Sequence, residues 1–411
     1  MDLRRHSRYL KTLFFLSFVG LGVGSPFAGI FYKHVIVNPD GTPAIGLIGL
    51  IFFVMPLVSL VAGIPAGIVA DKFHAGKHLL TLLCAGVALF SILVGLAGEG
   101  FAGRWGMNER FLFIFAVLVC LHFCLSPINP MIDAETLLFL NAHSRREYYG
   151  VYRLWGTYGW SVSTILTGAL LFRFRHDSLI FYGLALAYAL LGAAARSGIT
   201  VRPAGQPIII PWPYLRKDRL FQRFLLFMFL VGVVSNASYI YIGYFFDDVM
   251  QTPLEIGAVL GTWTIFEVPV MLYSRRLIEL FGNRWLIVAG LLVNGVRLLV
   301  FSLFTREMPF AWKWAAALLQ GPGFGLTHLG AIDFVDRQAH PNMRATYLSI
   351  MNVARMSLAS ALGGILGSWL IKQWGGAFLM QFCGWGAIGL ILFFLLLGRQ
   401  REPREEDSPP G

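Results

Sequence analysis

The sequence predicts an all-α membrane protein: twelve transmembrane helices in two pseudo-symmetric six-helix halves, with both termini cytoplasmic. Three observations predict it: too few charges for a soluble surface, apolar runs at regular intervals, and a partial internal repeat. Of 411 residues, 56% are hydrophobic and 13% charged, roughly half the charged share of an average soluble protein. Two or three soluble domains of this total length could not cover their surfaces with so few charges. One helical crossing uses about 20 apolar residues, so twelve crossings fit the chain and leave short loops.

The runs lie at about 10–32, 44–70, 78–98, 110–138, 148–172, 178–196, 220–246, 254–275, 284–304, 311–336, 344–371 and 376–398. The first follows Arg4, Arg5 and Arg8 as a signal peptide would. It is longer than a signal h-region, so it reads as a retained span. With the N-terminus inside, the inner segments hold 22 Lys and Arg and the outer loops 8, while Arg153, Arg297 and Arg355 fall within spans. That asymmetry sets the orientation. It also accounts for the net charge of +11 without nucleic acid as a partner.

The longest inner loop contains Pro203, Pro207, Pro211 and Pro213. Residues 1–197 are therefore expected as one bundle, 198–219 as a cytoplasmic linker, 220–398 as the second bundle and 399–411 as a disordered tail. Ile132-Asp133, Ala142-His143 and Arg153 recur as Ile332-Asp333, Ala339-His340 and Arg355, at offsets of 200, 197 and 202. Duplicated halves around a central site are the architecture of many secondary transporters.

A charge at mid-bilayer costs several kcal/mol and usually faces a cavity or a partner. Residues equidistant from the loop between two consecutive spans lie at similar depth. By that count Glu267 pairs with Arg297, Asp133 with Arg153, and Asp333 with Arg355, the last as a gating or structural pair. His328 is a further titratable candidate, and Trp160 lies beside Arg153 as a platform for a ring. The glycine runs at Gly20–Gly24 and Gly321–Gly325 read as close-packing surfaces first and as bending points second. Cys84, Cys120, Cys124 and Cys383 lie in apolar stretches and read as core residues. Neither metal-ligand spacing nor a cofactor fingerprint is present, and the strings H-E-x-x-H and P-loop do not occur, which argues against an enzyme.

Gly67-x-x-x-Asp71-Lys72 with Lys77 resembles the conformational loop of the major facilitator superfamily, with its second glycine two residues late. Tyr149-Gly150-x-x-Arg153-x-Trp155-Gly156-x-x-Gly159-Trp160, Pro130-x-x-Asp133-Ala134, Glu267-Val268 and Phe324-Gly325-x-x-His328 resemble the lactose permease, phenylpropionate and nucleoside proton-symporter branch. The resemblance implies that Asp133, Arg153, Trp160 and Glu267 bind solute, and Arg297, matched in depth to Glu267, is expected in the same solute site. The branch's proton acid, three residues after the span-ten histidine, is replaced here by Ala331. Coupling then falls to Glu267, whose distance from Arg297 would change between states, with His328 as relay.

These features imply a proton-coupled symporter of a small organic solute (sugar, nucleoside or aromatic acid) working by alternating access. A uniporter or exporter of the same fold is the alternative; a non-transporting receptor and a polytopic enzyme are the other classes. The expected partners are the bilayer, solute and protons, with no cofactor. A monomer in a bacterial inner membrane is the expected setting.

Overall fold

In hydrocarbon every backbone N–H and C=O must be satisfied within the chain, and these apolar runs satisfy theirs as helices. The computed structural model describes residues 3–73, 76–99, 106–143, 148–196, 217–339 and 344–397. Among these there is no strand, only an isolated bridge between Val37 and Pro43. Nine helical segments of the described residues are long and apolar enough to cross a membrane. One of them, Thr346–Leu396, is 51 residues long, more than a single crossing needs. It is interrupted at Gly375, which has φ +86°. The helices Tyr149–Phe174 and Gln320–Gln338 are not among the nine. They carry Arg153, His328 and Asp333, so the expected count of twelve includes two segments made less apolar by their polar residues. Most of the 198–219 linker and all of the 399–411 tail lie outside the described residues.

Proline removes one i→i−4 bond and crowds the carbonyl four residues earlier, and four helical segments are broken at or just before a proline. Leu3–Gly24 stops before Pro26 and resumes as Ala28–Val35; Met107–Leu125 stops before Pro127 and resumes as Ile128–Ala142. Pro253–Thr262 gives way to a turn at 263–266 ahead of Pro269, and Phe310–Ala317 to one ahead of Pro322. The last two breaks face the cavity described below.

The first helix packs along Tyr149–Phe174 and Leu179–Arg196, while Gly76–Gly98 packs along Met107–Leu125 and Leu179–Arg196. Later in the chain Arg219–Ile240 packs along Ala359–Leu397, and Ser274–Ser302 along Gln320–Gln338 and Ala359–Leu397. The early and late groups meet where Ile45–Phe73 lies against Ala359–Leu397 and Tyr149–Phe174 against Pro253–Thr262. At the second contact the backbones nearly touch: a Cβ on Gly168 would lie 2.6 Å from the Pro253 carbonyl oxygen. The glycine runs are packing surfaces, as expected; a Cβ on Gly22 would lie 2.7 Å from the Trp160 carbonyl oxygen. Cys84 and Cys383 are buried, but Cys120 is exposed, so the expectation that all four cysteines are core residues holds only in part. An exposed thiol on an apolar helix face fits a lipid-facing position.

The end of the bundle remote from the N-terminus is held by charge as well as by packing, Gly29 and Gly243 bringing the helices Ala28–Val35 and Ile242–Val249 together. Lys33 Nζ lies 2.7 Å from Asp247 and 2.6 Å from Asp248. His34 bridges Asp177 at 2.7 Å through Nδ1 and Asp247 at 3.1 Å through Nε2. Both ring nitrogens must carry protons for both bonds to form. Asp247 lies just past the run 220–246. Burial raises its pKa, but the bonds from His34 and Lys33 outweigh burial and hold it below the usual carboxylate value. Its contribution is thus present at neutral pH and lost as pH falls through that depressed titration. Asp247→Asn should speed amide hydrogen exchange across 28–35 and 242–249, whereas Asp40→Asn, in the neighbouring exposed loop, should not. Unchanged exchange in Asp247→Asn would show that apolar packing alone closes this end.

Candidate functional site

The breaks and close glycine contacts leave a central cavity of about 680 Å³, within the range of small-molecule sites. Its walls come from helices on both sides of the linker and include Asp133, Arg153, Trp160, Glu267, Arg297 and Arg355. Five expected solute-site residues and one member of the expected gating pair thus share one space.

On the early side, Tyr149 OH donates to Asp133 Oδ1 at 2.7 Å, and Arg153 Nη1 lies 4.0 Å from the same oxygen. The expected Asp133–Arg153 pair forms, though loosely, because the tyrosine holds the closer place. The Arg153 guanidinium lies 5.1 Å from the Phe18 ring centre and its side chain is half exposed. Trp160 is buried, and its Nε1–H donates to the Leu260 carbonyl at 3.2 Å. Leu260 precedes the broken turn at 263–266, so the indole caps a carbonyl near the break. Trp155 is exposed, packs against Tyr158 and does not line the cavity.

On the later side, two pairings counted from the sequence do not form. Glu267 and Arg297 make no ion pair within 4.0 Å. The counting assumed continuous helices on either side of Gly282, but Gly282 has φ +70° and the turn at 263–266 interrupts the preceding helix. Arg297 instead donates to Asn294 Oδ1 at 2.7 Å and lies 4.9 Å from the Phe301 ring centre. Asp333 is likewise taken by its own helix, accepting from Arg337 Nε at 2.8 Å and from Asn283 at 3.1 Å. Its expected partner Arg355 lies in a π-helical stretch, Val353–Leu358, whose extra residue per turn shifts its facing. Arg355 donates from Nη1 to His328 Nδ1 at 3.0 Å. A guanidinium only donates, so the His328 proton resides on Nε2. No contact joins His328 to Glu267 among the described residues.

Glu267 begins the helix Glu267–Leu272 and is placed by a glycine on another helix. A Cβ on Gly321 would lie 2.5 Å from the Glu267 backbone nitrogen. Ala331 is fully buried beside Ile287 and Val335. Gly67, Asp71 and Lys72 lie in the helix Ile45–Phe73 and Lys77 in Gly76–Gly98; their side chains lie outside the described residues. Sequence reading named Tyr149 in a motif without giving it a role, and missed Asn294 and the cluster of Lys33, His34, Asp177 and Asp247. The last had a legible signal: Lys33-His34 and Asp247-Asp248 end the first apolar run of each half with opposite charges.

The model of the MFS_1 like family matches residues 7–382. The chain belongs to this family. It is 26% identical over 408 residues to the maltose permease of Geobacillus stearothermophilus, covering 96% of this chain and 97% of that one. It is 22% identical to the "Probable 3-phenylpropionic acid transporter" of Escherichia coli K12, covering 89% and 92%. The fold is that of the nucleoside transporter NupG, at TM-score 0.82 and 16% identity over 98% of this chain and 100% of that one. The MFS_1-like chain is therefore an integral multi-pass membrane protein of a transporter family, resembling the proton-symporter branch named above.

Gly321→Ala should displace the turn carrying Glu267. Overpacking of this kind costs about 1–3 kcal/mol, so the variant should melt several degrees below the parent. Gly46→Ala, where a Cβ meets nothing within 4 Å, should melt at or above it. Equal melting of both variants would mean the tenth-span glycines are not packing constraints.

Proposed function

We propose that the protein is a proton-coupled symporter of a small organic solute, a sugar, nucleoside or aromatic acid, moved by alternating access. One observation carries this reading: acids and arginines from both sides of the linker line one central cavity, whose end remote from the N-terminus is held by an ion cluster in addition to close helix packing. A fastening made of charge can be undone and remade, and helices of two halves around one site are the geometry in which rocking exposes it to either face. With the N-terminus cytoplasmic, the fastened end is the outer one. The maltose, phenylpropionic acid and nucleoside named for the relatives define the range of solutes.

In this reading Asp133, Arg153 and Trp160 hold the solute from one side and Glu267, Arg297 and Arg355 from the other. Arg153 presents a planar fork to the cavity, and a lysine would lose that fork while keeping the charge. Arg153→Lys should therefore abolish solute binding with nearly unchanged folded yield; normal affinity in that variant would remove Arg153 from the site.

Glu267 is the carboxylate of the cavity with no ion pair within 4.0 Å among the described residues, which suits a group that must exchange its proton. Purified protein in liposomes should take up protons on solute addition. Glu267→Gln, a mimic of the protonated form, should still exchange solute but not accumulate it. Accumulation driven by pH in Glu267→Gln would move the coupling site elsewhere, with Asp133 next to be tested. Ala331 favours the second reading, a uniporter, for which solute exchange proceeds with no proton entry in the parent protein.

A further inference from the structure

Charge in the cavity does not balance. Asp133 and Glu267 are its acids, and Arg153, Arg297 and Arg355 its guanidinium groups. Asp133 is committed to Tyr149 and Arg153, which leaves Glu267 with two arginines on the later side. Both arginines are 5% exposed and neither meets a carboxylate within 4.0 Å among the described residues. The Nε–H of Arg297 has no partner at all among those residues, although Arg297 lines the cavity. Each guanidinium is held in place by neutral groups: Arg297 by Asn294 and the Phe301 ring, Arg355 by His328 and by Phe324, whose ring centre lies 5.4 Å away. A buried guanidinium without a counter-ion is costly in a membrane. Two of them, held by neutral groups on the wall of one cavity, form a site suited to a ligand that brings the missing charge. Tyr239 and Trp263, stacked at 5.9 Å, add an aromatic wall to the same cavity.

We propose that Arg297 and Arg355 form a carboxylate-binding site, and that the solute of this cavity is a small organic acid whose carboxylate is clamped there while its ring or carbon chain lies on the aromatic wall. The proposal deepens the transport reading by choosing acids over neutral sugars and nucleosides, and it rests on that reading for the claim that the bound acid moves. A planar carboxylate can accept two parallel N–H bonds from one guanidinium. A neutral amide of the same shape offers one oxygen and no charge.

The test uses the full chain purified in detergent and matched probes: phenylacetate with phenylacetamide, and glucuronate with glucose. Calorimetry should show at least one acid binding about tenfold or more tightly than its neutral counterpart, the scale of a charged hydrogen bond. Arg297→Gln and Arg355→Gln should each abolish that preference. Arg337→Gln, which alters an arginine outside the cavity, should keep it. If Arg297→Gln does not fold, Arg297→Lys should narrow the preference by retaining charge without the fork. The site is overturned if no acid binds more tightly than its counterpart, or if the preference survives in both glutamine variants. Counterflow in proteoliposomes separates the two claims. An acid that binds but is not exchanged contradicts transport and leaves the site standing; a neutral solute that is exchanged, with no acid competing, overturns the site and leaves transport standing.

Discussion

The placement of arginine in a low-dielectric interior governs much of this molecule. A guanidinium stays protonated, cannot be neutralised by shedding its proton, and has no water to turn to in hydrocarbon. The fold meets that constraint by placing Arg153, Arg297 and Arg355 around one central space. Aromatic faces and neutral acceptors take part of each guanidinium, and only Arg153 approaches a carboxylate. The imbalance ties the fold to the binding site proposed above.

That packing is set by glycine and proline acting in opposite ways. Glycine lets helices approach until backbones meet, as at Gly168 against Pro253–Thr262 and Gly321 against the turn before Glu267. Proline interrupts the same helices at the level of the cavity, freeing carbonyls that side chains then satisfy, Trp160 on Leu260 being one case. Tight contacts fix where the walls are, and breaks turn the polar side chains inward. At the end remote from the N-terminus ions are added to such packing: Lys33 and His34 on one side, with Asp247 and Asp248 on the other. Ions at a solvated rim exchange partners more readily than interdigitated side chains do.

Much of the architecture was legible in the sequence. Low charge and apolar periodicity gave the helical membrane fold, and the resemblance around Tyr149–Trp160 located residues that do share a cavity. What could not be read was who faces whom. Depth counting treats each span as a straight helix, and Gly282, the turn ahead of Pro269 and the π-helical stretch around Arg355 each break that assumption. Asp333 shows a second limit. A local partner at i+4, Arg337, takes the carboxylate before a distant arginine can, and sequence spacing alone does not rank the two. The span count was blurred for a related reason, since the segments richest in site residues are the least apolar.

The most direct test of the account measures the cavity's electrostatic sign, which needs no knowledge of the solute. With Cys84, Cys120, Cys124 and Cys383 replaced by serine, a single cysteine is placed by Ser235→Cys in the cavity wall. Its rate of reaction is then compared between a sulfonate-bearing and a trimethylammonium-bearing methanethiosulfonate of similar size. An excess of guanidinium charge at low effective dielectric predicts that the anionic reagent reacts several times faster, with the ratio falling towards one in Arg297→Gln and Arg355→Gln. Equal rates, or a faster cationic reagent, would mean that the arginines are neutralised within the protein, contradicting the account.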